Sequence, residues 1–235
     1  MRLPGGRRFA PRAWATLGAA AGVALCAVLG TWQLGRADEK RAQLAAYAAA
    51  TTPVPLPRAA QALPRYAHVR VAGHFLPERQ FLLDNMTHAS VAGYRVLTPF
   101  LTEGGDTLIV DRGWLPMGPS RAELPRIDVD AAPRELKGRS DALPRPGIEP
   151  PATPPADRWP RVVAFPKLED LERALGRPLY PAVLLLDPAE PDGYLRDWRP
   201  GGLPPERHVG YAVQWYALGA TLLVAFVIAS LKAPA

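Results

Sequence analysis

The chain has one cysteine, Cys26, and it lies inside an apolar run. A lone thiol excludes an intramolecular disulfide, a CxxC redox pair and a thiolate cage for zinc or copper. There is no GxxxxGKS/T phosphate loop, no GxGxxG turn, no HExxH helix and no GxSxG elbow. Asp84, Asp106, Asp111 and Asp187 fall at expected strand ends or turns, where capping and turn formation are the ordinary work of a carboxylate. The sequence therefore offers no enzyme active site. Lysine is also scarce, 4 against 24 arginines, in a chain rich in alanine, glycine and proline. That bias suits a GC-rich bacterial gene, the alternative being an organellar protein with an Arg-rich presequence.

Charge is missing from two long stretches. Ala13–Leu34 is 22 uncharged residues and Val209–Leu231 is 23. At about 1.5 Å of rise per residue each helix would reach about 33 to 35 Å, enough to cross a bilayer. In the first, Trp14 and Trp32 stand about 27 Å apart along a helix, at the two headgroup levels that indoles prefer. In the second, Leu222, Leu223, Val224, Phe226, Val227 and Ile228 supply the apolar bulk. A cleaved signal peptide competes for the first run, but the run is long and no clear small-x-small site precedes Thr31.

Arg2, Arg7, Arg8 and Arg12 precede the first run and Lys232 follows the second, leaving 23 basic and 22 acidic residues between them. Basic flanks stay on the cytoplasmic side. The expected organisation is a cytoplasmic tail (1–12), a first transmembrane helix (13–34), a periplasmic domain (35–207), a second transmembrane helix (208–231) and a cytoplasmic tail (232–235). The net charge of +6 is then a topological signal, with the lipid bilayer as partner and no nucleic acid.

Arg36–Ala50 reads as a helical stalk continuing the first span, stopped by Pro53, Pro55 and Pro57. Strand patterns follow over 67–75, 80–84, 94–100, 107–114, 134–140, 161–165 and 179–186, with a short helix over 167–175 and a Pro-rich loop over 143–160. The Gly104-Gly105 turn predicts a hairpin from the third and fourth strands. The expected fold class is a membrane protein whose two transmembrane helices bracket a mixed α+β domain, mostly antiparallel β and barrel-like.

The four histidines differ in promise. His68 and His74 share one face of a strand but lie about 20 Å apart, too far for one metal, and read as exposed positions. Met86 and His88, placed in a loop, form an M-x-H pair that would suit Cu(I), with no further thioether or thiol beside them. His208 sits at the mouth of the second run. On a helix, His208, Tyr211 and Trp215 share a face, an imidazole with flat walls suited to a haem axial ligand. Arg199 and Arg207 at the water level would pair with propionates. The plainer reading makes His208 a helix-end residue and Trp215 with Tyr216 part of an aromatic belt. In the first run, Gly18, Gly22, Cys26 and Gly30 recur every four residues, a small-residue stripe for a partner helix, either the second span or another protein.

Four blocks carry a family resemblance. Gly30-Thr-Trp32-Gln33-Leu34-x-Arg36 with Lys40, Gly93-x-Arg95-Val-x-Thr98-Pro99-Phe100, Val110-Asp111-Arg112-Gly113-Trp114-Leu-Pro116 and His208-x-x-Tyr211-Ala212-x-Gln214-Trp215 resemble, in order and spacing, the signature blocks of the Surfeit locus (Surf/Shy) family of cytochrome c oxidase assembly factors. Pro204-Pro205-Glu206-Arg207 stands where that family often has asparagines. The resemblance implies a protein of the bacterial inner membrane, or of the mitochondrial inner membrane in a eukaryote. It implies that the protein helps mature the catalytic subunit of an aa3-type oxidase, with haem a as cofactor and haem a synthase as a further partner. By position it makes His208 the haem iron ligand, with Arg207, Tyr211, Gln214 and Trp215 around it. It is also compatible with a scaffold that never holds cofactor, and, ranked last, with copper delivery through Met86 and His88. Arg112 is expected to be paired inside the domain and Trp114 packed.

Overall fold

The computed structural model describes residues 8–58, 63–121, 123–145 and 158–232. Arg2 and Arg7 of the first tail, residues 146–157 of the Pro-rich loop and residues 233–235 of the last tail lie outside them. In chain order the elements are β1 (Arg8–Phe9), α1 (Ala13–Ala49), β2 (Val54–Pro55), β3 (His68–Phe75), β4 (Phe81–His88), β5 (Val91–Thr102), β6 (Thr107–Pro116), β7 (Arg134–Asp141), β8 (Arg161–Val163), α2 (Leu168–Leu175), β9 (Val183–Leu186), α3 (Pro205–Ser230) and β10 (Leu231–Lys232). They form two units, one of residues up to 46 and from 200 onward, the other of residues 47–199.

The first unit is a helical hairpin. Both α1 and α3 are long and apolar enough to cross a membrane. Three of the four small residues in the expected stripe meet α3. A methyl group added at Gly30 would stand 2.7 Å from the ring of Tyr216, one at Gly22 would stand 2.5 Å from the end of Leu222, and one at Gly219 would lie 3.2 Å from Cys26. Gly18 faces open space. Small residues let the two backbones approach, and Tyr216 Oη closes the contact with a 3.1 Å hydrogen bond to Thr31 Oγ1. The hairpin is antiparallel, so its two outer ends meet, and β1 pairs with β10 there (Arg8 opposite Lys232, Phe9 opposite Leu231). The second helix starts earlier than expected because Pro205 occupies its first turn, where a missing N–H costs nothing.

The second unit is a mixed eight-stranded sheet in the order β2-β3-β7-β9-β6-β5-β4-β8. The first six residues of β3 pair with β7, and its last three pair with β5. Most neighbours are antiparallel, but β2–β3, β4–β8 and β6–β9 run parallel. The parallel pairs were not legible as such, since each joins strands far apart or very short. The β5–β6 hairpin forms as expected, with Gly105 at φ 88° in its turn.

Two apolar layers sit on one side of the sheet: Val69, Val71, Phe75, Phe100, Leu108, Val110 and Leu136 in one, and Leu82, Tyr94, Val96 and Ile127 in the next. Phe81, Leu83, Leu97, Ile109 and Val183 form a third, which Leu171 of α2 covers. The short helix stops where Gly176 takes a left-handed φ of 69°, its N–H closing on the Glu172 carbonyl.

One expectation about β4 needs correction. Met86 and His88 lie on strand, not in a loop, because β4 runs to His88 and turns at once into β5. Asn85 at φ 60° takes up the register shift, and Ala89 and Ser90 at φ 46° and 65° make the two-residue turn. Such turns favour Asn-Gly, and Ala-Ser gives no such signal.

Close approach of backbone explains one glycine of the second block. A methyl group at Gly93 would stand 2.5 Å from the Trp114 indole and closer still to the Leu115 carbonyl. Gly93→Ala is expected to destabilise the sheet unit by about 1–3 kcal/mol, read as a lowered unfolding midpoint of the purified chain; an unchanged midpoint would mean that β6 can move away freely.

Candidate functional site

In the sheet unit, the Asp111-Arg112-Gly113-Trp114 block is a β-bulge. Arg95 pairs with Trp114 and Leu97 with Asp111, so two residues, Arg112 and Gly113, oppose the single Val96. Gly113, at φ 109°, makes the bulge possible, and the Leu195 carbonyl packs where its side chain would be. The bulge sends Arg112 into the core, 1% exposed. There its guanidinium donates to the carbonyls of Asp192 (2.7 Å), Ile127 (3.1 Å) and Asp128 (3.1 Å), and to Gln80 Oε1 (3.0 Å). Phe75 and Tyr194 lie against its planar group at 5.7 and 5.2 Å. Burial pulls its pKa down from the ordinary arginine value. Arg112 is therefore paired inside the domain as expected, but largely with main-chain oxygens.

Its neighbour Asp111, also 1% exposed, forms an ion pair with Arg95 and accepts the Gly113 N–H at 3.0 Å. Burial pushes the Asp111 carboxyl above the usual carboxylate range, against the pull of Arg95 and the Gly113 amide. Arg95 in turn stacks on Trp198 at 4.9 Å.

A hollow of about 240 Å³ opens beside Arg95, lined among others by Tyr47, Tyr66, Met86, His88, Trp114 and Trp198. Trp114 is packed as expected, its Nε1 donating to the Met86 carbonyl at 3.0 Å while the His88 ring lies 5.4 Å from it. Burial raises both phenol pKa values, Tyr47 against the opposing charge of Arg139, so these walls are neutral. Met86 also packs on the layer under α2. No cluster of three or more His, Cys, Asp or Glu suited to a metal occurs among the described residues.

His68 is not the exposed residue expected. Its Nε2 lies 2.7 Å from Asp187 Oδ2 and its Nδ1 2.8 Å from the Thr51 carbonyl, with 12% of the side chain exposed. This imidazole links the segment after α1 to the end of β9. His74 is half-buried on the same face of β3.

In the helical unit, Arg207 and His208 fall in the opening turns of α3. His208 is half-buried, and its Nδ1 lies 2.8 Å from Gln33 Oε1 of α1. Trp215 is half-buried, Tyr211 is 38% exposed, and Arg207 and Gln214 are exposed. His208, Ala212 and Gly219 lie along the side turned to α1, with Trp215 and Tyr211 successively at its margin and Arg207 and Gln214 further round. Arg199 belongs to the sheet unit, where it pairs with Asp197 at 2.9 Å. Gln33 is the residue that sequence reasoning missed. It stands in the Trp32-Gln33 block, but nothing local marks it as the partner of a residue 175 positions away.

The donor set suits a haem iron. A neutral imidazole has one hydrogen-bearing and one lone-pair nitrogen, and with Nδ1 donating to the Gln33 oxygen, Nε2 keeps its lone pair. No hydrogen bond from Nε2 is made among the described residues.

The SURF1 family model matches residues 20–220, from inside α1 to inside α3. The chain belongs to the SURF1 family. A SURF1-like protein of Monosiga brevicollis is 27% identical over 223 residues, 85% of this chain and 81% of the relative. One from Rickettsia bellii is 37% identical over 91 residues, 37% of each chain. The cytochrome oxidase assembly protein SHY1 of Saccharomyces cerevisiae is 30% identical over 94 residues, 37% of this chain and 24% of that one. The four blocks quoted above all lie within the SURF1 match.

Proposed function

We propose that this SURF1-family chain is a membrane-anchored assembly factor for cytochrome c oxidase that binds haem a at His208 and promotes its insertion into the catalytic subunit. The family match and the likeness to SHY1, an oxidase assembly protein by name, support the assembly role. The observation that carries the haem reading is the Gln33-anchored His208, with one ring nitrogen held by an amide and the other free, on the helix side that Trp215 and Tyr211 border. When bound, haem supplies an iron that takes an axial imidazole. His208 would provide that ligand, Tyr211 and Trp215 apolar surface for the macrocycle, and Arg207 a cation for a propionate. Gln214, exposed one position before Trp215, would edge the same site.

In this reading α1 and α3 both span the inner membrane of a bacterium. The pairing of β1 with β10 supports placing both ends of the hairpin on one side, and the Arg-rich first tail supports that side being the cytoplasm. The sheet unit then works in the periplasm.

The test is a visible spectrum of the chain purified from cells that make haem a. A Soret band is expected in the wild type and at least a tenfold weaker one in His208→Ala. A colourless wild type that still co-purifies with the oxidase would replace this reading with a scaffold that holds no cofactor.

A further inference from the structure

Resting on the haem reading just given, one residue acquires a role that the four blocks do not assign. We propose that Gln33 is a positioning residue for His208, its side-chain oxygen keeping the hydrogen on Nδ1 and so reserving the Nε2 lone pair for iron. Three observations carry this. The separation of 2.8 Å is an ordinary hydrogen bond. Both partners sit between buried positions, Gly30 and Ala37 on either side of Gln33 in α1 and Pro205 and Ala212 on either side of His208 in α3. The amide therefore has little freedom to swing away.

The third observation concerns what the bond is not needed for. Helix register is already set by Tyr216 on Gly30, by Cys26 against Gly219 and by the Thr31–Tyr216 hydrogen bond. A single interhelical hydrogen bond adds little to such packing. Its distinctive effect is on the imidazole. A ligating histidine commonly gives its second N–H to an oxygen, which fixes the tautomer and the ring plane and raises ligand basicity. The reverse amide orientation would donate to Nδ1, place the hydrogen on Nε2 and remove the lone pair.

The tautomer is read directly, without haem, from nitrogen-15 chemical shifts of the histidine-labelled chain in detergent micelles. His208 is expected to carry its hydrogen on Nδ1. Gln33→Met, similar in length but without an acceptor, is expected to give a mixture of tautomers and to weaken binding of titrated haemin about ten- to a hundredfold. Gln33→Glu keeps an acceptor at the same reach. It is expected to hold the tautomer, retain haemin and lower the iron midpoint potential through its greater basicity, a change that mere packing would not produce. A wild type with the hydrogen on Nε2, or a Gln33→Met chain with unchanged tautomer and unchanged haemin affinity, overturns the proposal. Undiminished haemin binding by His208→Ala would instead overturn the haem reading, while the tautomer measurement would still report on the Gln33–His208 pair.

Discussion

Arg112→Met is expected to leave the sheet unit at the edge of stability. The guanidinium is the hydrogen-bond donor for the carbonyls of Asp192 and Asp128, and it shares those of Ile127 and Gln80 with other donors. Methionine fills much of the same volume but removes the charge-assisted bonds, including the two to Gln80 and Ile127 that lie in the core, at about 1–3 kcal/mol for each of those two. A loss of about 2–6 kcal/mol is large against the roughly 5–15 kcal/mol that holds a whole domain together. Arg112→Lys should rescue little, because one ammonium cannot reach acceptors spread along both edges of a planar fork. Thermal unfolding of the detergent-purified chain, followed by near-ultraviolet circular dichroism, measures both variants. Near-native midpoints for either would mean that water enters and satisfies the oxygens.

Asp111→Ala is expected to cost about 3–5 kcal/mol, because it strands the largely buried Arg95 without its counter-charge. Asp111→Asn should cost less, since an amide oxygen still accepts the Gly113 N–H. The pH dependence separates the two charges further. Burial raises the carboxyl pKa in the folded protein, so the contribution of Asp111 to stability is fully present below its unfolded pKa and is lost as pH rises through the folded one. Asp111→Asn should therefore flatten the fall in stability on that rising limb. Urea midpoints collected from acid to neutral pH read the slope, and parallel curves for wild type and Asp111→Asn would show that this carboxyl does not titrate across the range.

Legibility in the sequence followed the range of the interaction. Uncharged runs marked α1 and α3, and strand-forming runs bounded by turn residues marked the core strands, because each signal is complete within a single element. The stalk was readable for the same reason, as α1 continues to Ala49 without a break. Failures came where the deciding partner is distant or the turn chemistry unusual. His68 read as exposed because its partners Thr51 and Asp187 are 17 and 119 residues away. The Pro53–Pro57 run hid β2, which needs only the two pairs Val54–Val69 and Pro55–Arg70. Arg112 read as paired, but the loop carbonyls around it are common to every residue type and leave no mark in composition. At the helical end, spacing alone put His208, Tyr211 and Trp215 near one face of a helix, whereas the Gln33–His208 hydrogen bond needed the other helix.

The hairpin joins residues made far apart in time. Thr31 and Tyr216, which share a hydrogen bond, are 185 positions apart. At about 5–20 residues per second, a ribosome needs roughly 10 to 40 seconds to get from one to the other. For that interval the nascent first helix holds its glycine groove and the Gln33 amide without their native cover. Any neighbouring helix with a complementary side chain can fill the groove first, so the second helix completes the hairpin only by winning that competition.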